Sequence, residues 1–391
     1  MDRFDLIALL LATLGALSAS VLFLMGLWRT VRTYKEKIRA VFRRFFAPKH
    51  PLALGRAILN PVLRGSSHAW EAAAVMNPAA ILEGNRVHLF YRAIGTDGAS
   101  RVGYASSGDG AHFDERLPYP VFSLGDADPA REALVRRHNP TLYAMLMASG
   151  GSWSGCEDPR AVVIEDRIYL SFSAFAGWNS LRIGVVSIRK EDFDARRWLW
   201  SKPIFLSAPN EVHKNWVLFP RKINGTFAVL HGFSREDRNR AHIAYLDTLL
   251  EEPRPYIKSD ARFRDAPASA AWDTYVRGAG PPPIETSRGW LLLYHAIDRK
   301  DPHRYKLGAM LLDASDPARV IKRSPLPVLE PDAWYENEGA KSGVIYACGA
   351  VVKEGFLIVY YGGADSVVCA AATPFDAFVE RLASGKDATL S

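Results

Sequence analysis

"GCEDPRAVVIEDRIYLSFSAF", Gly155 to Phe175, is the stretch on which the reading of this chain turns. Two runs rich in Val, Ile, Leu, Tyr and Phe are joined at Glu165-Asp166, which is the composition of two strands and a tight turn. At the head of the first run stand Glu157 and Asp158, followed by Pro159 and Arg160. In isolation E-D-P-R is turn chemistry, because Asp-Pro starts turns and an adjacent Arg pairs with an acid. The rest of the chain decides whether this is a turn or a site.

The same pattern returns four more times, as "EGNRVHLFYRA" (83–93), "NGTFAVLHGF" (224–233), "SRGWLLLYHA" (287–296) and "KEGFLIVYYGGAD" (353–365). Each is preceded by a short apolar run and followed by another, such as "RVGYASS", "LRIGVVSI", "AHIAYLD", "KLGAMLLD" and "SVVCAAA". Strand, turn, strand, loop, strand, repeated five times in one order, predicts an all-β five-bladed β-propeller over 51–372. A β-sandwich is the competing arrangement, and the fixed order of three strands in every unit favours the propeller. Two stretches break the pattern. Residues 128–148 read as a helical insertion, opened by Asp128 and Pro129 and cut at Asn139-Pro140. Thr373-Pro374 opens a final helix that ends near Gly385, within a C-terminal helix and tail at 373–391.

Superposing the units on their turns sets Asn77-Pro78 of the first on Asp158-Pro159 of the second. In a propeller the innermost strands meet at the axis, where ligands bind, so Asp158 is expected beside Asn77. Burial there is expected to raise its pKa, which suits a proton donor. Strand alternation is expected to send Glu157 and Asp158 to opposite sides.

Composition bounds the remaining readings. The chain has 391 residues, 48% hydrophobic and 23% charged, enough for a sizeable core. Cys156, Cys348 and Cys369 have no metal spacing, which fits a reducing compartment better than a disulfide scaffold. The histidines are scattered, and no metal site is expected. Leu6 to Trp28 carries no charge and at 1.5 Å per residue is about 34 Å long, so the sequence predicts a transmembrane helix at 6–28. Residues 29–50 form a basic juxtamembrane segment. It holds eight Lys/Arg and one acid and so accounts for the whole formal charge of +7. That leaves the remainder balanced and argues against a nucleic-acid partner. By the positive-inside rule the protein is then single-pass, with a cytoplasmic catalytic domain and membrane lipid as a partner.

From about Leu54 to Thr373 the chain resembles glycoside hydrolase family 130, the propellers that include β-mannoside phosphorylases. The resemblance rests on "NPAAI", "YRAIG", "GCEDPRAV", "NWVLFPRKINGTF", "RGAGPPPIETSRGWLLLYHAID", "YKLGAMLLD", "WYENEGA" and "VYYGGAD" in that order. It implies that Asp158 is the catalytic acid, passing its proton through a substrate hydroxyl to the glycosidic oxygen. It implies that Asn77, Arg92 and Asp365 hold the sugar, and that Tyr305, Lys214, Arg277 and His231 lie at phosphate-contacting positions. Two positions depart from the family: Gly232 stands where an Arg commonly follows the His, and Arg221 stands where Glu follows L-F-P. Arg221 is the candidate to compensate.

The activity so implied is an inverting phosphorolysis of a β-mannoside or oligosaccharide, with inorganic phosphate as co-substrate and no cofactor. The alternatives are hydrolysis with a base from Glu285, Glu336 or Glu338, a membrane-tethered β-mannosyltransferase, or a catalytically silent glycan-binding propeller.

Overall fold

The computed structural model describes residues 25–26, 49–125, 152, 154–175, 181–234, 237, 239–251, 255–258 and 272–385. The chain divides into two compact units, Met1–Phe45 and Phe46–Ser391. The described part of the second is all-β apart from short helical pieces.

Five three-stranded antiparallel units follow one another along it. The first is Ala74–Glu83, Arg86–Ile94 and Ala99–Ser107; the second is Ser154–Ile164, Arg167–Phe175 and Leu181–Arg189. The third is Val217–Leu218, Phe227–Phe233 and Ala241–Leu246. The fourth is Tyr275–Ala279, Gly289–Asp298 and Asp301–Leu312, and the fifth is Ile345–Lys353, Phe356–Gly363 and Val367–Pro374. The expected strand–turn–strand–loop–strand order is met in all five. Three of the hairpins turn through two residues of positive φ: Gly84-Asn85, Asn224-Gly225 and Glu354-Gly355. Such mirror-image turns match the twist of the flanking strands.

The core lies between consecutive units. Phe90, Tyr104, Leu170 and Phe172 pack the first on the second, and Tyr169, Val185, Trp216 and Phe227 pack the second on the third. Phe219 and Trp290 join the third to the fourth, and Leu293, Leu311, Leu357 and Tyr361 join the fourth to the fifth. The fifth also meets the first. The Tyr360 hydroxyl donates to the Gly110 carbonyl at 2.7 Å, and the Lys353 ammonium to the Asn85 carbonyl at 2.8 Å. The short strand Gly55–Arg56 adds to the outer strand of the fifth unit. Arg56 then fixes it by a bidentate pair with buried Glu336, at 2.8 and 2.9 Å.

The helix Phe375–Ser384 lies where the Thr373-Pro374 signal places it and stops at Gly385, whose φ of 59° is the left-handed conformation of a helix C-terminus. The expected insertion at 128–148 lies outside the described residues.

The expected membrane anchor is corrected. Among the described residues no helix is long and apolar enough to cross a membrane. Of the span 6–28 only Met25 and Gly26 are described, and of the basic segment only Lys49 and His50. The single-pass localisation and the lipid partner fall with the anchor, and so does the motive for a membrane-tethered transferase.

Candidate active site

Irregularities in the sheets place the polar residues. The pairing register slips between Met76 and Ala79 in the first unit and between Glu157 and Arg160 in the second. It slips again between Val276 and Gly278, and between Ala347 and Gly349. Each slip is a β-bulge, which frees a residue from the ladder and re-aims it. The residues at these slips include Asn77, Asp158 and Arg277; in the third unit the slip falls between Leu230 and Gly232, at His231. Asn77 and Asp158 take φ of 48° and 49° ahead of their prolines. That left-handed conformation is uncommon for a residue with a side chain and is held here by the surrounding structure.

The bulge also corrects one expectation. Alternation is interrupted at Asp158, so it and Glu157 do not part to opposite sides but share one cation. Arg92 donates to Glu157 Oε1 at 3.0 Å and to Asp158 Oδ1 at 3.2 Å. It also donates to Ser100 at 2.9 Å and to Ser152 at 2.8 Å. Lys214 donates to Glu157 Oε2 at 3.1 Å, and Asn77 Nδ2 donates to Asp158 Oδ1 at 2.7 Å. Asn77 Oδ1 is left buried without a hydrogen-bond partner among the described residues. Gly362 of the fifth unit makes room for it: a Cβ there would stand 2.0 Å from Asn77 Oδ1.

The expected rise in the pKa of Asp158 is reversed. Burial raises it, but Arg92, Lys214, the Asn77 hydrogen bond and Arg160 together hold it down, at about 2. Asp365 goes the other way: burial pushes its carboxyl up, against the pull of Lys341 and Arg92. It sits in a turn after the strand Phe356–Gly363, with φ of 51°. Two buried carboxyls of one field are thus driven in opposite directions.

Asn77, Arg92, Asp158, Asp365 and Lys214 therefore share one electrostatic cluster. Arg277 and Tyr305 come together beside it, the guanidinium carbon 5.7 Å from the ring centre, and Tyr305 packs on Tyr346 at 6.4 Å. His231 faces Trp216 at 5.5 Å and His242 at 5.9 Å. Burial, with His242 and His213, lowers its pKa to about 4, so its ring is neutral near pH 7. Arg221 does not compensate for Gly232: it is held in a half-exposed bidentate pair with Glu285, at 2.7 and 3.0 Å, over the Trp290 ring.

Three side chains that the sequence does not single out hold the cluster in place. Arg160 donates to the Asp158 carbonyl at 3.0 Å, the Gly280 carbonyl at 2.8 Å and Asn215 Oδ1 at 3.0 Å. Tyr346 donates to the same Asn215 oxygen. Asn215 Nδ2 donates to the Arg277 carbonyl at 2.8 Å, so Arg160 and Asn215 tie the bulges of the second and fourth units together. The only sequence signals for them are the Arg of E-D-P-R and the Asn beside Lys214.

Comparison with known proteins follows the same line. A model of glycoside hydrolase family 130, described as beta-1,4-mannooligosaccharide phosphorylase, matches residues 136–383. A 1,2-beta-oligomannan phosphorylase from Thermoanaerobacter sp. is 36% identical over 81% of this chain and 96% of its own length. A beta-1,2-mannobiose phosphorylase from the same source is 33% identical over 80% of this chain and 92% of its own. Among solved structures, a glycosyl hydrolase from Bacteroides ovatus superposes with a TM-score of 0.62 at 26% identity, covering 84% of this chain and 92% of that one.

Proposed function

This chain belongs to glycoside hydrolase family 130, and from that premise we propose that it is an inverting β-mannoside phosphorylase built on a five-bladed β-propeller. Five consecutive units, packed each on the next and with the fifth touching the first, support the propeller. The observation that carries the activity is the buried cluster in which Asp158 meets Asn77, Arg92 and the Lys214–Glu157 pair.

In this reading Asn77 Oδ1, Arg92 and Asp365 take the sugar hydroxyls, and Lys214, Arg277, Tyr305 and neutral His231 line the phosphate side. A phosphate oxygen attacks the anomeric carbon and the glycosidic C–O bond breaks. The departing oxygen receives the proton from Asp158, and the products are a sugar 1-phosphate of inverted anomeric configuration and the shortened acceptor. In the free enzyme Asp158 is ionised. A phosphate dianion placed near Lys214 offsets the cations that hold it down, and so raises its pKa when a proton is needed. Phosphate binding and acid catalysis are then linked.

Hydrolysis requires a carboxylate base, and two of its candidates are engaged elsewhere. Glu285 is paired with Arg221 at the surface. Glu336 accepts from Arg56, from the Tyr361 hydroxyl at 2.7 Å and from the backbone N–H groups of Asp332 and Ala333.

The experiment is to incubate the protein with β-1,2-mannobiose and, in parallel, β-1,4-mannobiose, each with and without phosphate. The β-1,2 linkage is the first to test because the relatives matched along most of this chain act on it by name. Phosphate-dependent release of a sugar 1-phosphate is expected. Free mannose formed equally fast without phosphate would refute the reading.

A further inference from the structure

The loop after the helix Trp334–Asn337 brings a cation to the site at a place no motif marks. The Lys341 backbone N–H donates to the Ala364 carbonyl at 3.0 Å, fastening the loop to the turn that carries Asp365. On its other side the loop is held by the Tyr305 N–H, which donates to the Gly343 carbonyl at 2.9 Å. The Lys341 side chain lies across this gap, its ammonium 4.8 Å from the centre of the Tyr305 ring. The Arg277 guanidinium stands against the same ring at 5.7 Å. Two cations at one aromatic ring repel each other and gain only modestly from it, about 0.5–1 kcal/mol at exposed sites. Among the described residues the Lys341 ammonium makes no hydrogen bond or ion pair with a carboxylate. Its charge is felt by Asp365, whose carboxyl it pulls down against burial.

We propose that Lys341 is a phosphate-binding residue of this site, supplying with Lys214 and Arg277 the positive charge that Gly232 fails to supply. The proposal rests on the phosphorylase reading and deepens it. Lys341 bridges the side expected to hold the sugar, Asp365, and the side expected to hold phosphate, Tyr305 and Arg277. An anion attacking the anomeric carbon of a sugar held by Asp365 has to stand between those two. An ammonium on a flexible stem suits the task, because it meets a phosphate as a point charge without the fixed fork of a guanidinium. Arg221, the other candidate for the missing charge, is paired with Glu285.

The test is steady-state phosphorolysis of β-1,2-mannobiose by Lys341→Met and Lys341→Arg, with phosphate and mannobiose varied independently. Because Lys341 is exposed, both variants are expected to melt at the wild-type temperature. Loss of one charge-assisted contact is expected to raise KM for phosphate about ten- to a hundredfold in Lys341→Met, with KM for mannobiose changed less than about twofold. Lys341→Arg is expected to recover most of the phosphate affinity. An unchanged KM for phosphate in a phosphate-dependent enzyme overturns the proposal and leaves the phosphorylase reading standing. A rise confined to KM for mannobiose also overturns it and assigns Lys341 to the sugar. A wild-type enzyme indifferent to phosphate overturns both.

Discussion

Arg92→Met is the perturbation that most directly tests the electrostatic logic of the cluster. Arg92 is 2% exposed and joins both carboxylates of the E-D-P-R bulge. Hydrogen bonds to charged groups contribute about 1.5–3 kcal/mol each, and Arg92 makes one to Glu157 and one to Asp158. Methionine fills much of the volume but removes the cation the two acids share, while Lys214 and Ser152 stay on Glu157 and Asn77 stays on Asp158. Breaking a buried pair by removing one partner costs about 3–5 kcal/mol, and the two estimates agree. The sign with pH follows from linkage. In the wild type Asp158 lies below its ordinary value, so its contribution is complete above that value and is lost only as pH falls toward about 2. In the variant burial is less opposed, the Asp158 carboxyl rises, and the folded state takes up a proton more readily. The penalty is therefore greatest at pH 8 and shrinks toward pH 4.5, at up to about 1.4 kcal/mol per pH unit for each proton taken up. Urea unfolding of both proteins across this range measures it. A penalty below about 1 kcal/mol, or one that does not change with pH, would refute the view that Arg92 is what holds the Asp158 carboxyl down.

Asp158→Asn keeps the side-chain shape and removes the proton, so kcat is expected to fall at least about a hundredfold while calorimetry still detects mannobiose binding; residual activity above a tenth of wild type would remove Asp158 from the role of acid. The same variant tests the sign of its pKa shift in another way: between pH 4 and 2 wild-type stability should fall more steeply than that of Asp158→Asn, because the depressed carboxyl releases its contribution in that window, and parallel curves would contradict it. Glu336→Gln leaves partly buried Arg56 short of its buried counter-charge and is expected to destabilise by about 3–5 kcal/mol with kcat unchanged. A selective loss of kcat instead would return Glu336 to the list of catalytic bases.

The architecture was legible because hairpins are local. Each needs a turn that admits positive φ and two apolar runs, and "EGNRVHLFYRA" and "KEGFLIVYYGGAD" carry both within a dozen residues. Packing of neighbouring units follows from the same runs, since strands apolar on both faces must be covered on both. What the sequence did not show is the short strand Gly55–Arg56. Two residues have no periodicity, and only their pairing with a strand more than three hundred residues later, with Arg56 on Glu336, gives them structure. Of the apolar run at Leu6–Trp28 only Met25 and Gly26 are described, and among the described residues no helix is long and apolar enough to cross a membrane.

At the site, the pairing of Asn77 with Asp158 was legible and the charges around it were not. Asn77 and Asp158 could be paired by superposing the repeats, because both precede a proline at the same place in their units. The same prolines mark the bulge that cancels alternation, which is why the reading that separated Glu157 from Asp158 failed. The pKa of Asp158 was misjudged for a related reason. Burial is a property of the strand and can be inferred from its own neighbours. The opposing charges come from Arg92 in another unit, from Lys214 in the loop leading into the third, and from an Arg160 turned back on the Asp158 carbonyl by Asn215 and Gly280. Desolvation is local in sequence and its compensation is not. A buried acid in a repeat protein therefore takes its charge from the units around it. Asp365, the last residue of the GGAD motif and raised by burial, shows the outcome where the compensating cations act through space without a hydrogen bond to it among the described residues.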